Sequence, residues 1–167
     1  MTSKIPDASI SEVSGEILIA LGANIAGPAG PPYATLKAAL AALEKAGVAV
    51  LRVSAFYETR AWPNPCDPPF VNAVAVVETR HQPMTLLTLL HEVETSLGRT
   101  RSALNAPRTL DIDLLDYRGR VEDGAVLLPH PRLAGRRFVL EPLADVAPGW
   151  RHPVSGRLVG ELLAAAR

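Results

Sequence analysis

The stretch FVNAVAVVE (70–78) constrains the fold of this chain more than any other. Successive side chains of a strand point to opposite faces, so Phe70, Asn72, Val74 and Val76 share one face and Val71, Ala73, Ala75 and Val77 the other. Both faces are apolar, the mark of a central strand covered on both sides. The neighbouring segments supply partners for it. EILIALG (16–22) reads as a first strand, and Leu36, Leu40 and Leu43 recur at helical spacing before Gly47. VAVLRVSAFY (48–57) favours a second strand, and a loop with four prolines (60–69) leads into the third at 70–78. Pro83 opens a second helix with Leu86, Leu87, Leu90, Val93 and Leu97 on one stripe and Gly98 closing it. TLDIDLL (109–115) is a fourth strand.

The resulting order, β-α-β-β-α-β, predicts an α+β, ferredoxin-like antiparallel sheet with helices packed on one face. A short strand around AVLL (125–128) and helices near FVLEPLADV and GRLVGELLAAA form a C-terminal helical extension. Residues 1–15 are expected to be a poorly ordered tail and 16–167 a single catalytic domain. Such folds host many activities, so function must come from the side chains.

Charge and cysteine content narrow the class. With 17 basic and 17 acidic residues the chain carries no net charge, unlike proteins that coat nucleic acid. Cys66, the sole cysteine, forms no internal disulfide, and no apolar run reaches the roughly 20 residues of a membrane helix. The start of the chain lacks the basic and apolar regions of a signal peptide. The expectation is a cytoplasmic monomer that works on small molecules, without nucleic acid or membrane.

The fourth strand raises the chemical question. In APRTLDIDLL, Leu110, Ile112 and Leu114 line one face, while Asp111 and Asp113 stand side by side on the other with Leu115. Two neighbouring carboxylates repel unless something positive lies between them. They read either as solvated charges or as ligands of magnesium, which takes few carboxylates and completes its shell with water and phosphate. Arg99, Arg101 and Arg108 fall within ten residues just upstream, where guanidinium forks grip phosphate oxygens. The alternative is a solvated loop whose arginines simply pair with the two acids. No GxxxxGK[ST] cradle occurs, so a bound nucleotide must be held by side chains and metal.

Asn72 is the third signal. A carboxamide on an apolar strand face needs partners, since an unpaired buried polar group costs about 1–3 kcal/mol. It reads either as a structural amide or as the reader of a planar ligand, with Phe70 stacking nearby and Phe138 as a second aromatic wall. His130, between Pro129 and Pro131, either caps a turn or contacts nucleotide; Arg132, Arg136 and Arg137 follow it. His91 and Glu94 lie three apart on the second helix, opposite most of its apolar stripe, and read as surface residues.

These blocks line up with one family. LGANIAG (21–27), SAFYET (54–59), PFVNAV (69–74), LLHEVETSLGRTR (89–101), APRTLDIDLLDY (106–117), LLPHPRL (127–133) and RRFVLEPLADVAP (136–148) occur in order with sensible spacing. The chain resembles the 6-hydroxymethyl-7,8-dihydropterin pyrophosphokinases of folate biosynthesis. The resemblance implies transfer of pyrophosphate from ATP to a pterin hydroxymethyl group, giving AMP and the pterin diphosphate. It implies Arg99, Arg108, Asp111 and Asp113 as catalytic residues, with Asp111 and Asp113 binding two magnesium ions. Phe70 and Phe138 would sandwich the pterin while Asn72 and the Thr59 backbone read its edge. ATP would lie against Glu94, Arg99, Arg101, Arg108, His130 and Arg136, with His91 near it. Two departures stand out: Leu104, Asn105 and Ala106 replace a frequent Arg-Trp-Gly, and LGAN replaces LGSN. Trp62, in the proline-rich loop, is a candidate substitute aromatic. A different magnesium-dependent nucleotide enzyme and a non-catalytic metabolite-binding module are the rival classes that residues alone leave open.

Overall fold

The computed structural model describes residues 15–100, 104 and 106–167. Arg101, Asn105 and nearly all of the expected N-terminal tail lie outside the described residues. The elements run β1 (Ile17–Ala23), α1 (Pro32–Lys45), β2 (Ala49–Val53), β3 (Tyr57–Thr59), β4 (Phe70–Glu78), α2 (Pro83–Ser96), β5 (Asp111–Tyr117), β6 (Glu122–Asp123) and β7 (Leu127–Leu128). A 3₁₀ turn (Leu133–Gly135) then leads into α3 (Arg137–Val146) and α4 (Val159–Ala165). Both long helices begin with proline, whose missing N–H is no loss at a helix start. They give way to Gly47 and Gly98 at φ +83° and +91°, a conformation glycine adopts without strain.

The main sheet is antiparallel throughout, in the order β2-β4-β1-β5, with β3 also paired to β4. β4 lies inside it, as its two apolar faces require. One face packs Ile17, Ile19, Leu21, Ala73, Ala75, Val77, Ile112 and Leu114 against Leu36, Leu43, Leu86 and Leu90 of α1 and α2. The opposite face packs Leu18, Val74, Val76 and Leu115 against Val139, Leu140, Leu143 and Val146 of α3 and Leu162 of α4. Helices thus cover both faces, the C-terminal pair supplying the second layer. Each fully buried leucine contributes roughly 1.5–3 kcal/mol of burial free energy, so neither layer is dispensable.

Three boundaries differ from the sequence reading. The expected strand at 48–57 is two strands, because Ser54 interrupts the ladder. Its backbone N–H donates to the Val74 carbonyl at 2.9 Å, but the Val74 N–H donates back to the Ser54 hydroxyl at 3.0 Å instead of to a carbonyl. The Ala55 N–H then leaves the sheet for an Asp145 carboxylate of α3, 2.7 Å away. The fourth strand of the sequence reading is displaced to Asp111–Tyr117, and the region around 125–128 forms a hairpin of β6 with β7.

A register shift between Leu18 and Ile19 makes Leu18 face Asp116 and Ile19 face Leu114, leaving Leu115 as the extra residue of a bulge. Alternation along β5 is therefore reset. Asp111, Asp113, Leu115 and then Asp116 all address the α3 side, where the Trp150 indole N–H donates to Asp116 at 2.7 Å.

Candidate functional site

The site lies on the α3 side of the sheet, over the C-terminal end of β1. The residues of β1 that face this side are Leu18, Ala20 and Gly22, so side-chain bulk shrinks to nothing along the strand. Gly22 pairs with Asn72 of β4 on one flank and with Asp111 of β5 on the other, and Ala20 likewise separates Val74 from Asp113. Adjacent strands are ~4.8 Å apart, which sets the Asn72 and Asp111 backbones about 10 Å apart across a shallow floor.

The acids and arginines meet as the sequence spacing suggests. The Arg99 guanidinium donates to Asp111 at 2.6 Å and to the Leu110 carbonyl at 3.3 Å, and Arg108 donates to the other Asp111 oxygen at 3.0 Å. Asp113 lies farther from its cations: His130 Nε2 is 3.9 Å away and Arg136 4.0 Å. Burial pushes the Asp113 carboxyl above its ordinary range, and the neighbouring Asp111 charge adds to it; His130, Arg136 and Arg108 only partly oppose this. A group in that condition is short of positive charge. Both carboxyls remain partly exposed on one face, and among the described residues no group of three or more His, Cys, Asp or Glu is arranged to hold a metal ion. An all-oxygen pair that leaves most of a coordination shell to water and phosphate fits magnesium.

His130 is held by its backbone N–H, which donates to Leu115 at 2.8 Å. Its Nδ1 accepts the Arg132 N–H at 3.2 Å, so the neutral ring carries its proton on Nε2, the nitrogen nearer Asp113. Burial lowers its pKa, favouring that neutral form. Arg136 also lies 5.6 Å from the Phe138 ring centroid. Phe138 opens α3 with its ring substantially exposed, and Phe70 is half-buried on the β4 face that α3 covers.

Asn72 is buried, and its amide donates to the Thr59 hydroxyl at 2.7 Å. Thr59 also borders a depression of about 290 Å³ under the 60–69 loop, lined by Arg60, Ala61 and Asp67 among others. Trp62 stands exposed on that loop.

Glu94 corrects the sequence reading. It is 3% exposed, not a surface residue: its carboxylate accepts the Ile112 N–H at 2.7 Å and lies 3.1 Å from Arg99. Burial pushes its pKa up to about 7. Glu94 thus ties α2 to the start of β5, between the two acids, and helps aim Arg99. The apolar stripe of α2 hides it, because a helix facing a sheet edge can turn one carboxylate inward without breaking the 3.6-residue period. Asn24 was also missed as a site residue. Its side chain accepts the Arg108 N–H at 2.9 Å and donates to the Pro68 carbonyl at 3.1 Å, joining β1, the arginine segment and the proline-rich loop. The only sequence signal was an Asn at the end of an apolar strand.

Known proteins resemble this chain over most of its length. The family model for 7,8-dihydro-6-hydroxymethylpterin-pyrophosphokinase (HPPK) matches residues 18–148. A Pseudomonas aeruginosa 2-amino-4-hydroxy-6-hydroxymethyldihydropteridine pyrophosphokinase is 39% identical over 151 residues, covering 89% of this chain and 90% of that one. The protein of the same name from Synechocystis is 38% identical over 148 residues, 87% of this chain and 73% of that one. Fission yeast folic acid synthesis protein fol1 is 35% identical over 147 residues, which make up only 20% of its length. Among solved structures, Plasmodium falciparum HPPK-DHPS with pteroate superposes with a TM-score of 0.69 at 14% identity, over 90% of this chain and 44% of that one. The chain belongs to the 7,8-dihydro-6-hydroxymethylpterin-pyrophosphokinase family.

Proposed function

We propose that this chain, a pyrophosphokinase of folate biosynthesis, transfers the β,γ-diphosphate of ATP to the hydroxymethyl oxygen of 6-hydroxymethyl-7,8-dihydropterin, releasing AMP. The observation that carries the reading is the row Asn72–Gly22–Asp111: an amide reader of a planar ring and a carboxylate pair, on one face, with no side chain between them.

Each residue then has a task. Phe70 and Phe138 flank the pterin, and Asn72, held by Thr59, matches the donors and acceptors of its ring edge. Asp111 and Asp113 would hold two magnesium ions. Those ions, when bound, supply charge neutralisation for the phosphates and acidify the acceptor hydroxyl. Arg99 and Arg108, paired with Asp111 here, would grip phosphate oxygens as bidentate donors. His130 and Arg136 approach from the α3 side and stabilise charge building on the leaving AMP. Arg101 belongs to the same phosphate-binding group in this reading. Holding both substrates on one floor of the sheet would remove part of the entropic barrier. The β2-β4-β1-β5 order supports a ferredoxin-like core as the scaffold. We propose a cytoplasmic monomer that acts without nucleic acid or membrane; among the described residues no helix is long and apolar enough to cross one.

Phosphorus NMR of the protein with ATP, Mg²⁺ and the hydroxymethylpterin tests the reading. Equimolar AMP and a pterin diphosphate ester, formed only with Mg²⁺, are the expected result. ADP with a pterin monophosphate would mean single-phosphoryl transfer, and nucleotide binding without turnover a binding module.

A further inference from the structure

We infer that Gly22 is a positioning residue for pterin recognition: the absence of its side chain sets the orientation of the Asn72 carboxamide. The inference rests on the pterin reading of the site.

The geometry is specific. A Cβ built on Gly22 would lie 2.9 Å from Asn72 Oδ1, closer than real Cβ contacts come. The next atoms, the Val71 carbonyl oxygen and Asn72 Cγ, are 3.9 and 4.0 Å away, which is ordinary contact. The amide tip is therefore the only group that a methyl at position 22 would displace. On its other side the same amide is pinned by its 2.7 Å bond to the Thr59 hydroxyl. Thr59 and Gly22 thus form a slot, and the plane of the amide follows from it. A methyl on Gly22 forces the tip to swing about the Cβ–Cγ bond, which breaks the Thr59 bond and misdirects the remaining donor and acceptor. Hydrogen bonding falls off steeply with angle, so a modest swing removes recognition without removing the residue.

The same substitution leaves the fold and the phosphate machinery nearly untouched. Gly22 is extended backbone in β1 with no positive φ, and alanine suits such a strand. Asp111, across the register on the far side, has no atom within 4 Å of the added methyl among its three nearest neighbours. The effect is thereby confined to one ligand of the two.

The test is a double-mutant cycle of Gly22→Ala and Asn72→Ala, read by steady-state kinetics in pterin and in ATP, with thermal melts as a control. For Gly22→Ala the expected result is KM for pterin raised about tenfold, the loss of roughly one well-made polar recognition group. KM for ATP should stay within about twofold, and loss of the Thr59 bond should lower Tm by no more than about 10 °C, leaving the variant folded at the assay temperature. In the Asn72→Ala background, Gly22→Ala should add less than about twofold, because the atom it displaces is gone. Amide NMR adds a readout without substrate: the Asn72 side-chain NH₂ pair should shift in Gly22→Ala. Unchanged pterin KM, or a tenfold effect that persists without Asn72, would overturn the inference while leaving the pyrophosphokinase reading intact. A parent protein that turns over no pterin would overturn both. Should Gly22→Ala not fold, the double variant must, since truncating Asn72 removes the clash; an unfolded double variant refutes the role assigned to Gly22.

Discussion

Replacing Glu94 by Gln should change how stability depends on pH. The Glu94 carboxyl is almost fully buried, accepts the Ile112 N–H at 2.7 Å, and titrates near 7 instead of the usual 4.5. Desolvation is the main cause; the Ile112 N–H and the Arg99 charge oppose it without cancelling it. A carboxyl whose folded pKa is raised holds its proton longer in the native state than in the unfolded chain. Its contribution to stability is therefore fully present below 4.5 and is lost as pH rises through about 7. Each pKa unit is ~1.4 kcal/mol, so linkage removes roughly 3 kcal/mol in all, about 2 of it between about pH 5.5 and about pH 8. Glutamine keeps an acceptor for the Ile112 N–H but cannot ionise. Urea unfolding of parent and Glu94→Gln across that range should give curves that diverge as pH rises, the variant losing ~2 kcal/mol less than the parent. Titrating groups that do not interact with Glu94 cancel in the difference. Parallel curves would show that Glu94 ionises normally and that its burial has been misread.

Three further outcomes are expected. Asp113→Asn should lower kcat by ~100-fold or more while pterin affinity stays within about threefold, since the role proposed for it concerns metal and transition state; equal losses in both would contradict that. Chelation of divalent cations should abolish turnover and Mg²⁺ restore it, with calorimetry showing that ATP affinity falls in parallel. Trp150→Phe strips the 2.7 Å bond from buried Asp116 and should lower unfolding free energy by about 1–3 kcal/mol in urea titration, with kcat unchanged.

Much of this was legible in the sequence, and the exceptions have physical reasons. Alternation exposed the central strand and the facing of Asp111 and Asp113, because a two-residue period leaves no freedom once one face is buried. The same rule misassigns Asp116, since the bulge at Leu115 resets alternation and leaves no local trace in DIDLLDY. The break after Val53 depended on Asp145, some 90 residues away, which captures the Ala55 N–H. Glu94 was hidden for a related reason: its partner, Ile112, lies on a strand that α2 meets only in the folded chain. Residues that talk to distant backbone are the ones that local pattern cannot find.

The sheet also divides the molecule into two separately packed halves. Asp111, Asp113, Arg99 and Arg108 belong to strands and loops secured by the α1–α2 layer, whereas Arg136 caps the start of α3 and Phe138 lies in it, in the other layer. α3 and α4 form a contiguous C-terminal unit on one side of an otherwise complete sheet, the kind of unit that opens on its own before global unfolding. Such an opening would carry off Phe138 and Arg136 while the acids kept their places. Catalytic competence would then be governed by the weaker of the two layers, and amide hydrogen exchange in α3 would track the loss of activity in mild denaturant before exchange in β1 and β4 begins to rise.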